Sequence, residues 1–181
     1  GLHDVVRLDW RPDAAKAIVW FGDAPPHGVA ERGDGFPRGC PCGNDWFAQA
    51  EACREMGIAI YAMGCLPGLR QYETAEHVYR TVARATNGMY LALHEAQLLV
   101  PLIAGAAEST LDDQRIDAHV LDLVDAYPRE LAETDERERA RWLLQGLHRK
   151  QIERRSLGDD GRRSFRGVVL ADVDASLSRL R

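Results

Sequence analysis

The sequence predicts an α/β fold built on a parallel, Rossmann-like sheet and followed by an α-helical C-terminal extension. Short apolar runs at 16–22, 58–65 and 89–93 alternate with helical stretches, an order typical of right-handed crossovers between parallel strands. The runs lack polar alternation, as expected of strands covered on both faces. Strand signals then become rare and charges frequent. We therefore expect an α/β domain over 1–108 and a charged helical extension over 109–181.

The first predicted strand, 16–22, leads directly into a carboxylate and two prolines. The strand is expected to stop before Asp23, because the prolines that follow can neither donate to a sheet ladder nor start a helix at once. Asp23 is therefore predicted to lie in a loop at the carboxyl end of a strand. In open α/β sheets that edge is where ligands bind.

The remaining elements of the first domain follow from helical spacing and from turn residues. A loop rich in Gly and Pro spans 23–43, and loops of this length are usually functional or mobile. Asn44 or Asp45 is expected to cap the next helix, and the pair Asn87-Gly88 to end a later one. Helices are predicted at 1–10, 44–56, 73–86 and 95–107; the apolar face of the second is expected to comprise Trp46, Phe47, Ala50 and Cys53.

The extension is predicted to contain two longer helices and a short one at the end. Apolar residues recur at helical spacing over 112–126 and 131–153, with Tyr127-Pro128 between them. Residues 156–166 are rich in Gly, Ser and charges, which favours a flexible linker.

The first 108 residues resemble the C-terminal half of von Willebrand factor type A domains of intracellular bacterial and protist proteins. The resemblance lies in "LDWRPDAAKAIVWFGDAPPHG", "GDGFPRGCPCG", "GIAIYAMGC", "YRTVARATNGMYLAL" and "LLVPLIAGAAE" taken in this order. It implies a doubly wound sheet with a divalent cation at its carboxyl edge. In that family an Asp-x-Ser-x-Ser motif, a threonine and a later aspartate hold Mg²⁺, and Asp23 corresponds to the later aspartate.

Only half of such a domain is represented in this chain, so its cation site is expected to be incomplete. The strands that carry Asp-x-Ser-x-Ser and the threonine would precede Gly1, and one carboxylate does not hold Mg²⁺ in water. We therefore expect Mg²⁺ only in a longer form of the protein. The missing strands would also leave the edge of strand 16–22 unpaired, which predicts self-association unless the extension covers that edge.

A copy of the missing motif stands near the end of the chain. Asp174, Ser176 and Ser178 match Asp-x-Ser-x-Ser and follow the apolar run "VVLADV". A strand with a metal motif is one interpretation. The other is a helix, because Leu170, Val173, Leu177 and Leu180 recur at helical spacing.

Three cysteines and a histidine form a second candidate metal site. His27, Cys40 and Cys42 share the loop that follows the first strand, and Cys65 ends the neighbouring strand at the same edge. Together they would make a tetrahedral zinc set, although C-x-C is not the usual spacing. A loop with buried thiols and a disulfide are the alternatives. Cys53 is expected to be a core residue.

Function is predicted to be the binding of a protein partner at the edge that carries Asp23, without catalysis. The alternative is a zinc-stabilised scaffold or a zinc hydrolase built on the histidine and the three cysteines. A net charge of −5 argues against nucleic acid or anionic membrane as the partner. One basic cluster could contact phosphate, but the acids that alternate with it favour a solvated helix face; it comprises Arg149, Lys150, Arg154, Arg155, Arg162, Arg163 and Arg166. The four cysteines fit a reduced interior as well as they fit disulfides, and a cytoplasmic location is the expectation.

Overall fold

A computed structural model describes residues 1–12, 14–31, 33–157 and 163–181. The chain divides into unit 1, Gly1–Ala106, and unit 2, Ala107–Arg181, close to the boundary predicted at 108. The strands are β1 (Lys16–Gly22), β2 (Ile58–Cys65), β3 (Tyr90–Leu93), β4 (Glu153–Leu157) and β5 (Arg163–Gly167). The helices are α1 (Leu2–Val5), α2 (Trp46–Glu55), α3 (Ala75–Ala85), α4 (Leu99–Ala126), α5 (Pro128–Ala132), α6 (Glu136–Arg149) and α7 (Leu170–Arg179), with 3₁₀ turns at Gly68–Gln71 and Ala96–Leu98.

Unit 1 is built on the predicted parallel sheet, in the order β1-β2-β3. Lys16 lies opposite Ile58 and the register continues to Gly22 opposite Gly64, so β1 and β2 end at the same edge. Strand β2 is buried along most of its length because it lies between the other two strands. The α/β prediction and the adjacency of the three strands are confirmed. In the part of the chain that is described, β1 has a strand partner on one side only.

The helices of unit 1 cover the sheet through small and apolar side chains. Ala50 and Cys53 of α2 are buried against β2 and α3, as predicted. Asp45 is the N-cap, and its carboxylate accepts a hydrogen bond from the N–H of Ala48 at 2.8 Å. The expected burial of Phe47 is wrong, because its side chain is 44% exposed. The first helix is also shorter than predicted and ends at Val5.

Helix α4 is continuous where the sequence predicts two helices. The prediction of separate helices at 95–107 and 112–126 is wrong, and the division between the two units falls inside this helix. The change of composition at Ser109 had suggested a break. Ser109 and Thr110 are instead buried helical residues. The change of composition therefore marks the passage of one helix from unit 1 to unit 2, and not the end of a helix.

Unit 2 packs its helices around an apolar cluster and adds a β-hairpin. The cluster comprises Ile116, Val120, Leu123, Leu131, Ala140, Leu143, Leu147, Val168 and Val173. The predicted helix at 131–153 is interrupted between α5 and α6 and gives way to strand β4.

The linker predicted at 156–166 is wrong for the residues that the structure describes. Strands β4 and β5 pair antiparallel, with Arg154 opposite Arg166 and Arg155 opposite Phe165. The part of that prediction on 158–162 lies outside the described residues. The polar composition had suggested a linker. The prediction failed because ion pairs hold the hairpin together, and composition does not reveal such pairs.

The C-terminal copy of the metal motif lies within α7, so its helical interpretation is confirmed. Ser176 is fully buried, whereas Asp174 and Ser178 are exposed on the helix. The three side chains therefore do not face one site, since helical spacing of two residues turns them apart.

No helix among the described residues is both long and apolar enough to cross a membrane.

Candidate functional site

A cavity of about 590 Å³ opens at the carboxyl end of β1, within unit 1. It lies where the sequence predicts a ligand edge. Its lining includes the end of β1, the first residues of the following loop and the N-terminal turn of α2, among them Trp20, Asp23, Pro25, Pro26, His27, Cys40, Cys42, Asp45, Trp46 and Tyr79. No lysine or arginine among the described residues contributes to it.

Trp20 and Tyr79 form a rigid aromatic pair against this cavity. Their rings stack with centroids 4.2 Å apart and planes 10° from parallel. The Tyr79 hydroxyl donates to the carbonyl of Ala24 at 3.2 Å, which fixes the chain just after the strand. Burial, assisted by the nearby Cys65 and Asp23, raises the pKa of Tyr79 well above its usual range. The phenol is therefore a neutral structural donor.

Gly22 allows the tyrosine to reach the strand end. A Cβ at this position would lie 1.9 Å from the Tyr79 hydroxyl oxygen. Any side chain at position 22 would therefore displace the hydroxyl from the carbonyl of Ala24.

Asp23 lies against the loop that follows β2. A Cβ at Gly68 would lie 2.9 Å from the Cβ of Asp23, so only glycine permits this approach. Because the loops after β1 and β2 meet here, the carboxyl edge of the sheet is a single continuous surface around Asp23. The predicted position of Asp23 in a loop at the strand end agrees with the structure.

The loop 23–43 is organised around a second aspartate that the sequence analysis missed. The Asp34 carboxylate accepts hydrogen bonds from the N–H of Gly28 at 2.9 Å and of Phe36 at 2.8 Å. Its side chain is only 3% exposed, and His27 Nδ1 lies 3.4 Å from it. The Phe36 N–H in particular lowers the pKa of Asp34, so the carboxylate is ionised at neutral pH.

The same loop is attached to α3 through Glu31. Its carboxylate accepts from the N–H of Thr74 at 3.0 Å and also contacts the Thr74 hydroxyl. The hydroxyl is the main cause of the lowered pKa of Glu31. Thr74, the N-cap residue of α3, caps nothing with its own side chain, so a residue 43 positions earlier supplies the acceptor. No local motif could have revealed this pairing.

The predicted zinc ligands are only partly brought together. Cys40 and Cys42 form a disulfide with each other, the alternative that the sequence analysis kept open. His27 packs edge-on against Phe36, with ring centroids 4.8 Å apart. Cys65 is a free, half-buried thiol at the end of β2. Cys53 is a buried free thiol on α2, as expected.

Neither proposed metal fits the side chains as they are arranged. Among the residues with described positions, no three His, Cys, Asp or Glu side chains gather closely enough to hold an ion. Disulfide sulfurs are not thiolate ligands, and Asp23 alone offers Mg²⁺ too few oxygens. Both metal assignments stay predictions.

The cavity therefore combines the stacked rings of Trp20 and Tyr79, a loop held by hydrogen bonds and the carboxylate of Asp23 at the sheet edge. Such a surface can bind a ligand by shape, by apolar contact and by attraction of a positive group. No family model, curated protein or solved structure matches this chain.

Proposed function

We propose that unit 1 is a protein-interaction module of the von Willebrand factor A type. It binds its partner at the edge formed by the carboxyl ends of β1 and β2. The observation that carries the proposal is the cavity beside Asp23, because it lies where parallel sheets bind ligands and is bounded by a loop fixed at two points.

The chemistry of the cavity favours a segment of polypeptide as its ligand. Two prolines and the rings of Trp20 and Trp46 offer apolar contact, and aromatic side chains are frequent at the centres of protein interfaces. The carboxylate of Asp45 in the lining is already engaged by the N–H of Ala48, and Asp4 lies on α1 and not at the carboxyl end of a strand. Asp23 is therefore the carboxylate that we assign to a partner's positive group.

The pinned loop supports binding by a preformed surface. A loop of this length would lose much conformational freedom on binding if it were mobile. Asp34 and Glu31 hold it in place beforehand, so less of the interaction free energy is lost in ordering it.

A crosslinking experiment tests where the partner binds. A photoreactive phenylalanine analogue replaces Phe36, which contacts His27, and in a matched control it replaces Leu111, an exposed residue of unit 2. We expect one protein to crosslink in cells from position 36 and not from 111. Equal yields from the two positions would refute the proposed edge.

Titration calorimetry with the purified partner then tests the role of Asp23. Asp23→Ala is expected to weaken binding by about tenfold or more, because it removes one member of a charge pair. Glu55→Ala, an exposed carboxylate at the other end of α2, is the control and should leave the affinity unchanged. An affinity of Asp23→Ala equal to that of the control would contradict the proposal.

A further inference from the structure

We infer that unit 2 binds duplex DNA through the solvent-facing side of α6 and the outer face of the β4–β5 hairpin. We name this surface the basic face, and it comprises Arg137, Arg141, Gln145, Arg149, Lys150, Arg155 and Phe165, all exposed. The inference concerns a different unit from the proposed partner edge and does not depend on it.

Helix α6 exposes one side along its whole length. Ala140, Leu143 and Leu147 are buried in the core of unit 2, which fixes the opposite side toward solvent. That side carries arginines at 137, 141 and 149 with Gln145 between them, and Glu138 is the one acid among them. A three-residue connection separates α5 from α6, as in helix-turn-helix motifs, whose second helix enters the major groove.

The hairpin is oriented by ion pairs on its inner face. Arg166 donates two hydrogen bonds to Asp172, at 2.7 and 2.8 Å, and Arg154 lies 2.6 Å from Asp113. Asp112 also accepts from the N–H of Arg155 at 2.8 Å. Because successive side chains of a strand alternate between faces, these contacts direct Arg155 to the outer face.

The outer face pairs a cation with an exposed aromatic ring. Arg155 lies opposite Phe165, with its guanidinium 5.7 Å from the ring centroid. Phe165 is 67% exposed, so its ring is not used to cover the core of unit 2. An arginine beside an exposed ring suits contact with a phosphate and with the deoxyribose next to it.

Two contacts hold the helix and the hairpin of the basic face in a fixed relation. His148 Nε2 lies 2.7 Å from the carbonyl oxygen of Val168, just after the hairpin. The N–H of Ile152 donates to the carbonyl of Leu147 at 3.1 Å, which fixes the turn from α6 into β4. The helix and the hairpin are thus held in one geometry before a ligand arrives.

Charge is distributed unevenly along unit 2, and the net charge of the chain conceals this. Residues 136–157 contain seven arginines and lysines against three acids, whereas residues 107–135 contain two against nine. The buried carboxylates Asp113 and Asp172 are matched by arginines on the inner face. The basic face itself carries five cations against the exposed acids Glu138 and Glu153, so it remains positive and would attract phosphates despite a chain charge of −5.

Fluorescence anisotropy of the full chain with a labelled duplex of about 20 base pairs tests the inference. We expect binding that weakens steeply between about 50 and 200 mM salt. Arg141→Ala/Arg155→Ala should weaken it by about tenfold or more and reduce the slope of log K against log salt by about two, because each arginine neutralises one phosphate. Arg141→Lys/Arg155→Lys should retain most of the affinity.

The matched control removes the same charge elsewhere. Arg54→Ala/Arg80→Ala changes two exposed arginines of unit 1 and is expected to leave DNA binding unchanged. Circular dichroism and the fluorescence of Trp142 verify that each variant is folded. The inference is overturned by any of three results: no binding at low salt, equal weakening by the control, or equal affinity for the duplex and for anionic lipid vesicles.

Discussion

The two units treat charge in opposite ways. In unit 1 the sheet and its helices bury mainly apolar side chains, and Thr86 is the one non-aromatic polar residue among those described that is buried as a whole; the carboxylate of Asp34 is buried apart from them, in the loop 23–43. In unit 2 the carboxylates Asp112, Asp113 and Asp172 are buried and are matched by arginines. The charges that we assign to ligands lie at the surface in both units. In unit 1 the charge is Asp23 at the sheet edge, and in unit 2 the charges are the cations of the basic face.

The difference follows from what each sheet can bury. Strand β2 fills its two faces with apolar side chains, and the buried N–H of Ile60 is satisfied by the Thr86 hydroxyl at 3.0 Å. Four of the ten residues in the strands of the unit 2 hairpin are arginines, and ion pairs from Arg154 and Arg166 hold the hairpin where apolar contacts would hold a buried strand. A buried pair of this kind specifies an arrangement, and breaking it leaves an unmatched charge.

The largest expected effect is on unit 2, from Asp172→Ala. This carboxylate binds Arg166 twice, lies 3.1 Å from Arg154 and accepts from the N–H of Val169 at the start of α7. Burial opposes its charge, but the hydrogen bond from Arg166 and the other contacts outweigh burial and lower its pKa. We expect a loss of about 2–3 kcal/mol in the free energy of unfolding, because Arg166 and the N–H of Val169 lose their acceptor, while Arg154 keeps Asp113 and solvent reaches the partly exposed Arg166.

Urea unfolding followed by far-ultraviolet circular dichroism, to which the helices of unit 2 contribute strongly, measures this loss. Asp174→Ala is the control, since Asp174 lies on the same helix and is exposed. A change below about 1 kcal/mol for Asp172→Ala would mean that the network adds little to stability.

The next effect is on unit 1, from Tyr79→Phe. Loss of the bond to the Ala24 carbonyl should cost about 1 kcal/mol at neutral pH. The raised pKa also gives an alkaline dependence. Above the ordinary value of 10.0 the unfolded chain releases the phenolic proton while the folded chain keeps it, so stability falls as pH rises. Urea unfolding at about pH 8 and pH 11 should show a smaller alkaline loss in the variant. An identical alkaline loss in the two proteins would contradict the assignment to Tyr79.

A smaller and local effect is expected from Asp34→Asn. Its carboxylate organises the loop 23–43, so the loop should open more often while the sheet stays folded. Trypsin should cleave after Arg38 faster, by about tenfold. Asp9→Asn, an exposed change before β1, should leave the cleavage rate unchanged. Unaltered cleavage in Asp34→Asn would show that the loop is held without this carboxylate.

The smallest effect is expected from Glu51→Ala. Glu51 and Arg54 form a pair 3.0 Å apart on the surface of α2, with 36% and 46% of their side chains exposed. Solvent screens such a pair, so we expect a loss of about 0.3 kcal/mol or less. Thermal unfolding compares this variant with Asp172→Ala. Similar losses would remove the distinction between exposed and buried pairs on which the comparison of the two units depends.

Periodicity and turn residues were sufficient to predict most of unit 1. The bounds of β1 and β2 follow from apolar runs that end at Gly and Pro, and burial on both faces leaves such runs little freedom. The carboxyl-edge position of Asp23 follows from the same logic. Unit 2 was predicted less well, since arginines that anchor a hairpin look like those of a solvated linker.

The sequence by itself determined the alternation of strands and helices in unit 1 and the edge at which Asp23 lies, whereas the structure decided between the two interpretations of 170–179 in favour of a helix. Those features depend on spacing along the chain, which local sterics and apolar burial translate directly into structure. Only the tertiary structure decided that Glu31 caps α3, that Asp34 organises its loop and that Asp172 holds the hairpin. Each of these depends on a carboxylate meeting donors from another element or from a loop without periodic spacing, and no pattern in the sequence encodes such a meeting.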